Sequence, residues 1–386
     1  MENKILLPDY KNCVLNLTAS LKKVFNLDSD YQLLADLDID ALRRKKNLIL
    51  IILDGLGVNL INRFAKDSFL GKNLFKQITT VFPPTTAAAM TSIYTGKSPL
   101  EHGAIGWALY FKEFFKLIDF LPCNDHVNSA KLDYQKAYIY SLFQHRSFLN
   151  DLAKITKTHY LTPKYISKSK FSRKLMTEIE ILPYGNVNSM LKTVANLTGK
   201  SEQKFILAYS TLPDSLEHKF GVYDERVHDF VKKIEYKIFQ LSQNISDSTI
   251  LISSDHGMKD VNHYFSINDD KNLYESLILP TFPEPRFVSF FVKNHKRKQF
   301  EHAIEKYRQD FYVLKREEFL AKNLLGKGQA HKKIDDFIGD YLAIAIGDKA
   351  FETNYWQNLT EEDKMKAHHS GLTKDEMLVP LIKIDV

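Results

Sequence analysis

Four short apolar runs punctuate the chain, and each stops abruptly at a polar residue capable of chemistry. Leu48 to Leu53 ends at Asp54, Ile78 to Phe82 ends at Pro83-Pro84-Thr85-Thr86, Phe205 to Thr211 ends at Pro213-Asp214, and Ile250 to Ser254 ends at Asp255-His256. Continuous apolar runs of this length suit strands buried on both faces, as in a parallel sheet. Helical patterns lie between them. One runs from about Asp224 to Leu241, where Val227, Phe230, Val231, Ile234, Ile238 and Leu241 keep close to a 3.6-residue period. In open α/β sheets ligands gather beyond the carboxyl ends of the strands, so the four strand ends are expected to converge on one site.

The remaining pattern sets the expected organisation. Residues 104–201 contain much Phe, Tyr and Lys with little strand-end chemistry, and predict crossover helices plus an insertion that caps the site. From Phe287 the pattern becomes strand (Phe287 to Val292), helix (Lys296 to Arg308), strand (Phe311 to Leu314) and helix (Glu317 to Asn323), a small α+β appendage; apolar β character returns at Tyr341 to Ile346. The predicted division is a catalytic core over residues 30–280 plus 335–386, a cap within 104–200 and a small α+β subdomain at 285–330. Internal repeats and low-complexity tracts are absent from the sequence.

Composition narrows the partners. With 386 residues, 44% hydrophobic and 12% aromatic, the chain can bury one large core and a smaller satellite. The charge of +6 arises from 53 basic and 47 acidic residues in scattered positions. This suits small anionic substrates better than a dedicated nucleic-acid surface. Two cysteines, Cys13 and Cys123, are too few for a disulfide scaffold or a thiolate metal cage, and fit a reducing compartment. Met1 to Asn26 lacks the apolar stretch of a signal peptide. No apolar run approaches the roughly 20 residues of a membrane span, so a cytoplasmic location is expected. Asn16-Leu-Thr and Asn196-Leu-Thr then read as chance matches to a glycosylation acceptor.

Asp54, Asp214, His218, Asp255, His256 and the pair His368/His369 supply oxygen and nitrogen donors without sulfur, a set suited to Zn²⁺ and, less tightly, Mn²⁺ or Fe²⁺. So many donors serve two ions better than one. Asp214 and His218 are four apart and project from one face if Pro213 opens a helix. Asp255 and His256 are adjacent at a strand end, where neighbouring side chains can splay around an ion. Each has a plainer reading: Asp54-Gly55 as a turn, Asp214 as a helix cap, Asp255-His256-Gly257 as a polar loop, His368-His369 as a solvated pair. Their joint occurrence at strand ends and turns favours a site. Thr86 falls at the N-cap position of a helix that ends at Gly96, where a phosphate is welcome and a metal can turn a hydroxyl into a nucleophile. Thr85 meets the same local conditions.

These segments together carry a resemblance. Phe82-Pro-Pro-Thr-Thr86-Ala-Ala-Ala-Met-Thr-Ser-Ile-Tyr-Thr-Gly96, with Asp54-Gly, Asp214-x-x-x-His218, Ser254-Asp255-His256-Gly-Met and His368-His369-Ser-Gly-Leu, resembles the nucleotide pyrophosphatase/phosphodiesterase branch of the alkaline phosphatase superfamily, from about residue 45 to 386. In that family the nucleophile lies nine residues before the threonine of a Thr-Gly pair, here Thr95-Gly96, which selects Thr86. The resemblance implies a three-layer α/β/α sandwich with a mostly parallel central sheet. It implies hydrolysis of phosphodiester or pyrophosphate bonds, with nucleotide-type small molecules as substrates, through a phosphothreonine on Thr86 and two divalent ions, Zn²⁺ or Mn²⁺. One ion would be held by Asp54, Thr86, Asp255 and His256, the other by Asp214, His218 and His369, with His368 as the alternative to His369. Two positions depart from the pattern: Ala89 stands where better-known phosphodiesterases have asparagine, and Ser370 where glycine is usual. Trp107, Tyr110, Phe111, Phe114 and Phe115 are candidates either to stack on a nucleobase or to pack the core and cap. The nearest rival is a phosphomonoesterase or phosphonate hydrolase with the same metals. A sulfatase is disfavoured because Cys-x-Pro-x-Arg is absent, and a non-catalytic, metal-stabilised binding protein is the alternative outside enzymes.

Overall fold

Every residue of the strand Asn47–Leu53 is buried. Leu48, Leu50 and Ile52 enter one apolar cluster, while Ile49, Ile51 and Leu53 enter a second. A strand's side chains alternate between faces, so this strand must be covered on both. In the computed structural model, which describes residues 5–143, 145–354 and 364–386, it lies within a seven-stranded mixed sheet. The first residues of the N-terminal stretch and residues 355–363 of the expected core segment lie outside the described residues.

Asn47–Leu53 pairs in parallel with Lys204–Ser210 on one side and Ser248–Ser253 on the other. Outward from Lys204–Ser210 come Lys157–Pro163 and Glu180–Tyr184, both parallel. Outward from Ser248–Ser253 comes Leu378–Asp385, antiparallel to it and to the edge strand Leu74–Thr79. Helices Val14–Val24 and Thr86–Thr95 bury apolar residues in the cluster on one face. Val187–Thr198 and Glu225–Asn244 do so on the other. The result is the expected α/β/α sandwich with a mostly parallel sheet. The helix expected from Asp224 begins at Glu225, because the Asp224 carboxylate accepts from the Arg226 N–H as its N-cap. Asn16 of the first sequon is fully buried, its amide donating to the Tyr10 and Gln32 carbonyls.

Three expectations change. The strand placed at Ile78 to Phe82 forms its ladder at Leu74–Thr79, because Pro83 and Pro84 have no N–H and the chain turns away towards the Thr86 helix. As an edge strand it is half exposed at its start, so its first residues lack an apolar signature. Second, Lys157–Pro163 and Glu180–Tyr184 belong to the central sheet, although residues 104–201 were expected to hold helices and a cap. The insertion proper is a three-stranded antiparallel sheet, Ala108–Phe111, Lys116–Asp119 and Asn124–Asp125, followed by helix Asp133–Leu142. Third, Tyr341–Ala345, expected to rejoin the core, pairs antiparallel with Phe287–Phe290 and Phe311–Lys315. With Phe282–Glu284 these make a second, four-stranded sheet. Its own cluster of Phe290, Phe300, Phe311, Tyr341 and Phe351 makes that pairing the better burial.

The second sheet is tied to the central one by a buried ion pair. Arg286 Nε and Nη2 each donate to Glu376 at 2.7 Å, and both side chains are fully buried. Glu376 also accepts from the Gly371 N–H at 2.7 Å, so the same carboxylate fixes the turn that follows His369. No helix among the described residues is long and apolar enough to cross a membrane.

Candidate active site

Neighbouring parallel strands deliver the first donors. Asp54 follows Asn47–Leu53, Asp255 and His256 follow Ser248–Ser253, and Asp214 opens the helix Asp214–Phe220 just after Lys204–Ser210. Asp54 N–H donates to the Ser210 carbonyl and Asp214 N–H to the Asp54 carbonyl, each at 2.9 Å, which locks these two strand ends together. Gly55 has φ +79°, and a Cβ there would stand 2.9 Å from Asp214 Cα, so only glycine lets the Asp54 turn approach so closely.

Thr86 is the first residue of its helix rather than the N-cap. Thr85 occupies the cap position in extended conformation, yet its side chain makes no capping bond. The Thr85 hydroxyl instead donates to Glu284 Oε1 at 2.7 Å, whereas Thr86 Oγ1 lies 3.2 Å from His256 Nε2. The two threonines thus face different neighbours, which the local sequence does not reveal. Asp214, read as a possible cap, makes no capping bond either; its Oδ1 lies 3.2 Å from His218 Nε2, across one helical turn.

His256 Nε2 is also 3.4 Å from Asp54 Oδ1 and 3.5 Å from Asp255 Oδ2. Ligand atoms of Asp54, Asp255 and His256 lie within 4.8 Å of one another, as do those of Asp214, His256 and His369. The His256 and His369 rings are 4.0 Å apart between centroids, and His218 is 5.2 Å from His369. His368, the alternative, is held in a short strand opposite Lys259 with its ring 5.0 Å from His218, and joins neither cluster among the described residues. His256 Nδ1–H donates to the Gly257 carbonyl at 3.0 Å and His218 Nδ1–H to the Ala367 carbonyl at 2.8 Å. These bonds fix the tautomer that leaves Nε2 unprotonated, the arrangement expected behind a metal-ligating imidazole.

Several buried atoms here lack any partner. Among the described residues, Asp54 Oδ1, Asp255 Oδ2 and Nδ1 of both His368 and His369 make no hydrogen bond. Buried carboxylate oxygens without donors are costly, and a cation supplies the missing interaction. Burial, then the charges of Asp255 and Asp214, raise the Asp54 pKa well above the usual carboxylate range. Burial, then His256 and His218, drives the His369 pKa well down and keeps the ring neutral. Burial opposes both charges of the Asp214–His218 pair, yet their mutual attraction lowers Asp214 and raises His218. Acidic and neutral imidazole donors with orphaned atoms fit two divalent ions.

Three residues of the site were not anticipated. The Tyr209 hydroxyl donates to Asp54 Oδ2 from within the strand Lys204–Ser210. Glu217 is fully buried beside Gly55, with both oxygens unpaired and its pKa raised by burial and then by Asp214. Glu284 reaches in from the second sheet. None belongs to a motif; a polar residue inside an apolar strand was the one signal available for Tyr209. Replacing Tyr209 by phenylalanine removes the bond that orients Asp54 and is expected to weaken divalent-ion affinity by about 10–100-fold. Competition with a chromophoric chelator measures it, and an unchanged affinity contradicts the assigned role.

The site opens into a cavity of about 590 Å³, bounded by Thr86, Trp107, His126, Glu284, His368 and Lys364 among others. Of the five aromatic candidates only Trp107, 40% exposed, lines it; Phe111 is buried in the core. Ala89 is fully buried within the Thr86 helix and faces the apolar cluster. Ser370 has φ +87°, the left-handed region that explains a preference for glycine at that position.

Solved structures share this fold. Murine ectonucleotide pyrophosphatase/phosphodiesterase 5 aligns over 86% of this chain and 87% of its own, at 14% identity and TM-score 0.63. The human protein aligns over the same shares at 16% identity and TM-score 0.61. Phosphonoacetate hydrolase from Sinorhizobium meliloti 1021, in complex with phosphonoformate, aligns over 88% and 90% at 17% identity and TM-score 0.61. No curated protein sequence matches. Residues 48–371 match the type I phosphodiesterase/nucleotide pyrophosphatase family, and that stretch contains every donor described above. With its strand ends, its threonine-headed helix and its paired donor clusters in place, the chain belongs to the type I phosphodiesterase/nucleotide pyrophosphatase family and is a hydrolase.

Proposed function

We propose that this hydrolase cleaves phosphodiester or pyrophosphate bonds of small, nucleotide-type molecules by transient transfer of the phosphoryl group to Thr86. The carrying observation is the position of Thr86 Oγ1, 3.2 Å from Nε2 of His256, the residue common to both donor clusters. Asp54, Thr86, Asp255 and His256 would hold one divalent ion and Asp214, His218 and His369 the other. Bound there, Zn²⁺ or Mn²⁺ lowers the pKa of a hydroxyl and neutralises phosphoryl oxygens.

The residues divide the work as follows. Thr86 Oγ attacks phosphorus, the bond to the leaving oxygen breaks, and a phosphothreonine forms; water then attacks phosphorus and returns the threonine hydroxyl. The proton lost by Thr86 balances the one gained by the leaving alcohol or phosphate. The first N–H groups of the Thr86–Thr95 helix have no intrahelical partner and favour a phosphoryl oxygen at that end. Asp54 and Asp255, both buried, would neutralise the ion held beside the threonine oxygen. The murine relative's inactive threonine-to-alanine variant was solved in complex with AMP, which supports both the nucleophile and a nucleotide-type ligand here. A cytoplasmic setting remains part of this reading.

Acid quenching during turnover of bis(4-nitrophenyl) phosphate, followed by peptide mass spectrometry, tests the proposal. One phosphoryl group is expected on the peptide carrying Thr86, at Thr86 itself. Steady turnover with an unmodified peptide, or with phosphate on Thr85, overturns it.

A further inference from the structure

Glu284 stands at the end of the strand Phe282–Glu284, between two prolines, and its buried side chain forms part of the cavity wall that also contains Thr86. Its Oε1 accepts two hydrogen bonds, from Thr85 Oγ1 and from the Trp107 N–H, both at 2.7 Å. Those bonds join three separate parts of the fold: the nucleophile loop, the start of the insertion and the second sheet. Oε2 accepts none among the described residues and, unlike the oxygens of Glu217, is not sealed in, as befits a residue of the cavity wall. No basic side chain among the described residues forms an ion pair with Glu284. Lys364, on the same wall, pairs with Glu352 at 3.0 Å.

Given the phosphoesterase reading above, on which this step rests, we propose that Glu284 is a specificity-determining residue whose cavity-facing oxygen favours singly charged phosphodiesters over doubly charged phosphomonoesters. Repulsion between a fixed carboxylate and a phosphoryl group grows with the charge the substrate carries. A diester has one negative charge, and a monoester above its second pKa of about 6 has nearly two. The same repulsion disfavours a phosphonate whose leaving group bears a carboxylate. Burial raises the Glu284 pKa to about 7 against the pull of Thr85, the Trp107 N–H, His218 and His256, so the group is charged in a mildly alkaline assay. Glu284→Gln keeps an acceptor for Thr85 and Trp107 while deleting the charge.

The test compares wild type, Glu284→Gln and Thr85→Val at pH 8.5 with bis(4-nitrophenyl) phosphate and 4-nitrophenyl phosphate. In Glu284→Gln the diester-to-monoester ratio of kcat/KM is expected to fall about tenfold or more. Thr85→Val, which loses the hydrogen bond but keeps the charge, retains the wild-type ratio. An unchanged ratio in Glu284→Gln, or an equal fall in Thr85→Val, overturns the proposal. Calorimetric titration of inorganic phosphate needs no turnover and separates this proposal from the enzymatic reading: binding about tenfold tighter in Glu284→Gln supports it. Equal binding, or none in either protein, overturns it.

Discussion

Thr86→Ala is expected to lower kcat for a diester substrate by about ten-thousand-fold or more, the scale on which removal of a covalent nucleophile acts. The replacement deletes the one hydroxyl placed 3.2 Å from His256 Nε2 and leaves Asp54, Asp255 and His256 intact. Thr85→Ala, one residue away, removes only a hydrogen bond to Glu284 and is expected to cost about tenfold, as loss of roughly 1.4 kcal/mol would. Steady-state kinetics on both variants, with divalent-ion content and circular dichroism matched to wild type, measure the contrast. Comparable losses in the two variants would remove Thr86 from its assigned role.

Stripping divalent ions is expected to abolish activity and to lower the thermal midpoint by roughly 5–10 °C, a size that follows from losing a saturating ligand of the native state. The loss also depends on pH in a definite direction. Asp54 and Glu217 both have folded pKa values raised by burial and by neighbouring carboxylates. A group raised in this way contributes stability that is fully present below its unfolded pKa and is lost as pH rises through its folded pKa. The ion-free protein is therefore expected to lose stability as pH rises towards the folded pKa values of these two groups. Below about 6.5 the matching gain on acidification is offset, because His368 and His369 are buried neutral and the unfolded chain takes up their protons. With ions bound the carboxylates are already compensated, so the alkaline decline flattens. Differential scanning fluorimetry across pH, with and without added Zn²⁺ or Mn²⁺, reads both slopes. Parallel curves would mean that no cation resides among these carboxylates.

The sequence displays much of the core because a strand covered on both faces must be apolar throughout. Asn47–Leu53, Lys204–Ser210 and Ser248–Ser253 are such strands, and the polar residue that ends each one sits where the sheet gives way to the cavity. Strands towards the margins are less legible. Lys157–Pro163 mixes Lys, Thr and His with its apolar residues, and Glu180–Tyr184 is short and half exposed. Leu378–Asp385 contains Pro380 in its middle, a residue that argues against a strand whose ladder runs on both sides. Its bulge at Leu381/Ile382 lies just beyond that proline. Thr86 and the donor set are visible because they recur in short motifs, whereas Glu284, Glu217 and Tyr209 take their meaning only from tertiary neighbours. Glu284 is brought beside Thr85 by the second sheet, and no spacing along the chain encodes that contact.

The reversed strand Leu378–Asp385 governs how the protein comes into being. It fills the slot between Ser248–Ser253 and Leu74–Thr79, so neither can complete its ladder until the end of the described chain has emerged from the ribosome. Until then a nascent molecule presents an apolar strand rim open to any other extended polypeptide, the situation in which edge-to-edge association begins. His369 lies just upstream of that closing strand, so the donor clusters are completed only as the rim is sealed, and translation products cut short in this region should be both inert and prone to clump.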